Sequence, residues 1–145
     1  MKKDRINNVS VENGVTNATK TADENGATID LQQYADGARF VVSLGTAGDS
    51  LTSINYIEFE VEESKDDSAW TDAADADVIG SVTGNNTGTF GLQNTGETPT
   101  AYSGQYTGIY RYCRCVLSFT GVSHTNGTPI SVTVDKLGYK YPPTT

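Results

Sequence analysis

Ile57, Phe59 and Val61 alternate with Glu58, Glu60 and Glu62. Strict alternation of apolar and charged residues predicts a strand with one face on a core and the other in water. This strand is expected over Ile54 to Glu62. The same period runs through Ala38 to Leu44, where Phe40, Val42 and Leu44 oppose Arg39, Val41 and Ser43. It returns in a long strand expected over Tyr106 to Thr120. There Cys113, Cys115, Leu117 and Phe119 share one face, and Tyr110, Tyr112, Arg114, Val116 and Ser118 the other. Ile130, Val132 and Val134 alternate with Ser131, Thr133 and Asp135 in a final strand, which Pro142 and Pro143 end. Trp70 and Thr71 suit a short edge strand, and Val78-Ile79-Gly80 returns to the core. Tyr34-Ala35-Asp36-Gly37 and Gly45 to Ser53 read as turns, and Asn126-Gly127 as a hairpin signal. No helical period is sustained. The pattern predicts an all-β chain: a single antiparallel β-sandwich of six to eight short strands, jelly-roll or Ig-like.

Two stretches lack any period. Residues 1–27 are polar and Asn-rich, with scattered Ile6, Val9, Val11 and Val15. Such a segment buries too little to offset its ordering entropy. It is therefore expected to be an extended N-terminal arm that orders on a neighbouring protein, with the sandwich domain spanning 28–145; the alternative is a strap lying on its own domain. Residues 81–106 hold five Gly, six Thr and one charge, Glu97. A loop of that length in a small domain is usually functional or ordered by a partner. The alternative is a short irregular hairpin around Thr89-Phe90.

Composition narrows the function classes. The chain has 145 residues, enough for one domain with one core. Ten Lys and Arg against 18 Asp and Glu give a formal charge of −8. A duplex binder needs cations to displace phosphate counterions, so nucleic acid is not an expected partner. No apolar run approaches the ~20 residues of a membrane span, and no membrane partner or secretory leader is expected. Cys113 and Cys115 lie two apart, which on a strand places both on one face, and they read as buried small hydrophobes. With one His and two Cys, no zinc site can be completed within one chain.

The segment from Glu58 to Asp77 carries nine carboxylates and one cation, Lys65. It lacks the alternating acids, the central Gly and the terminal Glu of a calcium-binding helix–loop–helix. It reads as a solvated acidic face or a docking face for a basic partner. Glu58 and Glu62 also have a spacing that a glycosidase pair could use, but an exposed acidic row is the ordinary wet face of a sheet. His124 sits in a polar turn and reads as a surface residue. No cofactor, metal or catalytic residue is expected. Tyr102, Tyr106, Tyr110 and Tyr112 cluster beside Arg111 and Arg114, residue types enriched at interfaces and on sugar-binding faces.

Three stretches carry a family resemblance. They are Ala27-Thr28-Ile29-Asp30-Leu31-Gln32-Gln33-Tyr34 followed by the Phe40-Val41-Val42-Ser43 strand, Ile57 to Gly80 with its Glu63-Ser64-Lys65-Asp66-Asp67 and Trp70-Thr71-Asp72 motifs, and Tyr106-Thr107-Gly108-Ile109-Tyr110-Arg111-Tyr112-Cys113-Arg114-Cys115-Val116. Together they resemble the small β-rich head-decoration (cement) proteins of tailed bacteriophages. The resemblance covers about residues 27–135. It implies a non-enzymatic virion protein on the capsid exterior, with the major capsid protein and further copies of itself as partners, in a homo-oligomer for which a trimer is the candidate. On that reading the expected contact residues are Lys2, Lys3, Arg5, Ile6, Val9 and Val11 in the arm. Phe90, Leu92, Tyr102, Tyr106, Tyr110 and Arg111 are expected in the loop and strand. The alternative is a glycan-binding domain of a spike, fibre or adhesin, with Trp70 and the tyrosines as a stacking platform.

Overall fold

The computed structural model describes residues 9–95 and 99–140. Among them are β1 (Val9–Lys20), β2 (Glu24–Asn25), β3 (Ile29–Asp30), β4 (Ala38–Leu44), β5 (Tyr56–Ser64) and β6 (Thr71–Asp72). A 3-10 turn at Asp75–Asp77 leads into β7 (Val78–Ile79), β8 (Thr89–Gln93), β9 (Thr100–Tyr106), β10 (Tyr112–Thr120) and β11 (Thr128–Leu137). All strand pairs are antiparallel. The first sheet has the order β1-β11-β4-β9-β7. The second is built on the β10–β5 pair, with β2 and β3 along the free side of β10 and β8 and β6 along the free side of β5. The chain is a β-sandwich.

The alternating residues supply the core. Phe40 and Val42 from the first sheet meet Ile57, Phe59, Val61, Cys113, Cys115 and Leu117 from the second, all fully buried. Phe90 ties the layers together: its ring lies 6.1 Å from Phe40 and 6.5 Å from Phe59. Each such side chain contributes on the order of 1.5–3 kcal/mol by leaving water.

Four expectations change. The stretch expected as an arm is, from Val9 to Lys20, the edge strand of the first sheet, paired along β11. Two register shifts, between Asn13 and Val15 and between Val15 and Ala18, break its alternation, and Val15 alone reaches the core at 2% exposure. Bulges of this kind hide a strand from periodicity. Residues 81–106 are not one loop, because β8 and β9 are built from them. The strand expected over Tyr106 to Thr120 is broken by a turn at 107–111, so that β9 and β10 lie in different sheets. Asn126-Gly127 closes no hairpin: β10 and β11 also belong to different sheets, and the turn carries the chain between layers. Gly127 still takes the left-handed φ of 71° that the dipeptide suggested.

Candidate binding surface

Residues from each of the three stretches meet at one corner, while the Phe40-Val41-Val42-Ser43 segment of β4 lies in the other sheet. β3 and β5 pair on opposite sides of β10, and β6 continues outward from β5. After β5 the chain must reverse, and Ser64 and Asp66 fix the turn. Ser64 Oγ accepts the backbone N–H of Asp66 and of Asp67, and Asp66 Oδ1 accepts those of Ser68 and Ala69. Those backbone donors hold the Asp66 carboxyl down to about 2. Asp67 takes a left-handed φ of 62°, and its carboxylate accepts the Thr28 hydroxyl at 2.8 Å. The first stretch is thus tied to the second.

The third stretch locks onto both. Tyr106 is fully buried, and its hydroxyl donates to Glu63 Oε2 at 2.6 Å while accepting the Tyr110 N–H. Burial and the neighbouring carboxylate push this phenol far up. Gly108 is required where the chain passes over that ring, since an added Cβ would lie 2.4 Å from the phenol oxygen. Arg111 grips Asp30 with two hydrogen bonds of 2.9 and 2.7 Å, which hold the Asp30 carboxyl below its usual range. Arg114 donates to Glu62 at 2.7 Å and lies 4.2 Å over the Trp70 ring. Lys65 covers Tyr110 at 5.0 Å, and Arg111 covers Tyr112 at 4.8 Å. Such contacts contribute about 0.5–1 kcal/mol each where exposed.

The acidic strand is not a wet face. Glu58 and Glu60 point away from the core but are 1% and 3% exposed. The stretch before β8 folds over them: the Asn85 N–H donates to Glu58 at 2.6 Å, and the Asn86 amide donates to Glu60 at 2.9 Å. Burial, and secondarily the nearby Glu58 charge, raises the Glu60 carboxyl. Burial and Glu62 raise Asp72. A glycosidase would need Glu58 open to a cleft, and it lies beneath this cover. Among the described residues, no group of three or more His, Cys, Asp or Glu is placed to hold a metal.

Of the expected contact residues, Lys2, Lys3, Arg5 and Ile6 lie outside the described residues. Val9 and Val11 are exposed on the outer face of the first sheet, at 36% and 64%. Phe90 and Tyr106 belong to the core and cannot meet a partner, because the β8 and β9 they sit on are sandwich strands. Leu92 is half-buried. Tyr102 is half-buried too, with its ring 5.7 Å from Phe59 and its hydroxyl on the Leu92 carbonyl and Gln93 Oε1. Tyr110 and Arg111 remain at the surface of the corner. Ile109, between these motif residues, is 94% exposed at the tip of the turn. It was absent from the expected contacts because the predicted strand ran through it. His124 is buried, not superficial: its ring packs edge-on against Phe119 at 5.0 Å, and Nε2 lies 2.8 Å from the Thr120 carbonyl. Cys113 and Cys115 are free thiols inside the core, both pushed up by burial.

No family model, curated protein or solved structure matches the chain.

Proposed function

We propose that this protein is a bacteriophage head-decoration (cement) protein that binds the outer capsid surface and stabilises the shell. Its partners are the major capsid protein and further copies of itself. The observation that carries the reading is the corner: the motif residues interlock as structure, and all three stretches adjoin. A shared motif used for rigidity suits a protein whose work is to hold a shape against a neighbour. The surface contacts then fall to Ile109, Tyr110 and Arg111 at the corner and to Val9 and Val11 on β1, with Lys2, Lys3 and Arg5 as a basic leader. Each exposed ion pair is worth only about 0–1 kcal/mol, but repetition around a closed shell multiplies weak contacts.

Co-sedimentation with capsids lacking the protein tests this. The full chain is expected to bind, and a chain without residues 1–8 to bind at least tenfold more weakly. The truncation stops before Val9 so that β1 stays intact. Failure of the full chain to co-sediment overturns the reading.

A glycan-binding domain is the second reading, favoured by Trp70, Tyr110 and Tyr112 at one corner. Against it, each ring already carries a cation over its face. A glycan-array hit lost in Tyr110→Ala decides for this reading.

A further inference from the structure

The outer faces of the two sheets differ in charge. On the second sheet the outward positions of β5 are acidic, with Glu58 and Glu60 beneath the stretch before β8 and Glu62 paired by Arg114. On the first sheet the inward residues are Phe40, Val42, Val132, Val134, Gly104 and Tyr106, which fixes their neighbours as outward. One outward row runs across the whole sheet as Val11, Asp135, Arg39, Gln105 and Ile79. The next is Asn13, Thr133, Val41 and Ser103, and a third is Ser131, Ser43 and Ala101. Arg39 and Asp135 are the only charged residues in these rows, and Arg39 Nε donates to Asp135 at 3.0 Å. The rest are small, hydroxylated or aliphatic. The ends of the first row, Val11 and Ile79, are 64% and 61% exposed. A chain of net charge −8 therefore presents one broad face of net charge zero.

From this we infer that the outer face of the first sheet packs against the same face of a second copy. Charge selects that occupant. Two copies of a chain with net charge −8 repel one another, and like charges brought together oppose association. Here no net charge is added. The rows are also self-complementary about a two-fold axis parallel to the strands and midway between β4 and β11. That axis sets Asp135 of one copy over Arg39 of the other and the reverse, and Thr133 over Val41. Sheets pack face to face in this way at about 10 Å. Four strand spacings by about seven residues give roughly 400–500 Å² per copy, or on the order of 1,000 Å² in all, the lower bound for a specific interface. The dimer is thus weak, with dissociation in the micromolar range. The inference rests on the self-association in the proposed function and not on its capsid partner.

Analytical ultracentrifugation of the full chain, from about 1 to 300 µM, is the test. The expected result is a rise from 15.5 kDa toward twice that mass. Thr133→Asp and Ser103→Asp, both at exposed positions, are expected to weaken association at least tenfold with an unchanged far-UV spectrum. Ser53→Asp, on a distant loop, is expected to leave it unchanged. Two substitutions guard against loss through misfolding of either one. A monomer throughout the range overturns the inference, as does a dimer indifferent to both face substitutions or equally sensitive to Ser53→Asp. A monomer that binds capsids and loses them in Thr133→Asp overturns self-association and assigns the face to the shell. Capsid binding that survives in a monomer with the face substituted overturns this inference alone.

Discussion

At residue scale, Gly108 and Glu60 show how local chemistry sets the surface. Tyr106 cannot retreat from a side chain at position 108, because its ring is fully buried and its hydroxyl is anchored on Glu63. Gly108→Ala is therefore expected to cost about 1–3 kcal/mol, as overpacking does, and to lower the melting temperature measured by circular dichroism. Glu60 carries the opposite expectation. Its carboxyl is raised in the folded protein, so folding favours the protonated form. The folded state is relatively best below the ordinary value of 4.5 and loses that advantage as pH rises through the folded value. Glu60→Gln keeps an oxygen to accept the Asn86 amide while removing the buried charge. It is expected to stabilise the protein at pH 7 by about 1 kcal/mol, and so raise the melting temperature by about 2–4 °C. The gain should vanish on acidification below 4.5. Equal melting temperatures at pH 7 would show that the cover over β5 fully solvates the charge.

At the scale of elements, β1 decides what the N-terminal segment can be. It completes the first sheet along β11, and Val15 is part of the core. Removal of residues 1–8 is expected to preserve cooperative unfolding. Removal of 1–20 unpairs β11, exposes Val132 and Val134, and is expected to abolish the cooperative transition or to drive aggregation through the new edge. Urea denaturation of the two truncated chains separates these outcomes. The same strand marks the reach of sequence reading. β4, the centre of β5, β10 and β11 were readable because their side chains alternate without interruption. In β1 two bulges place Asn and Thr where apolar residues would fall, and in β8 and β9 Thr and Gly stand at strand positions with little pattern. Gly91 and Gly104 are there for room, since an added Cβ would run into Tyr102 or Phe90. Of the candidate surface, Tyr110 and Arg111 were found from residue type. Ile109, and the cover on Glu58 and Glu60, depended on where separate strands come together.

At the scale of the molecule, the two sheets share one continuous core. Phe90 touches both layers, and β8 belongs to the second sheet while β9 belongs to the first. The first strand also pairs with the last, so the sheet that includes both cannot close until distant parts of the chain have met. Contacts of such long sequence separation slow folding, to the millisecond-to-second range for sandwiches of this kind. They also couple the layers: loosening β5 or β10 uncovers Phe40 and Val42 as surely as loosening β4 does. Trp70, the single tryptophan, reports on the corner of the second sheet, whereas far-UV circular dichroism reports on both. Urea unfolding followed by the two signals is expected to give one coincident transition. A tryptophan transition at lower urea than the dichroism transition would mean that the Trp70–Arg114 corner opens independently. In that case the corner is a movable latch, and the decoration-protein reading, which rests on a rigid corner, loses its physical basis.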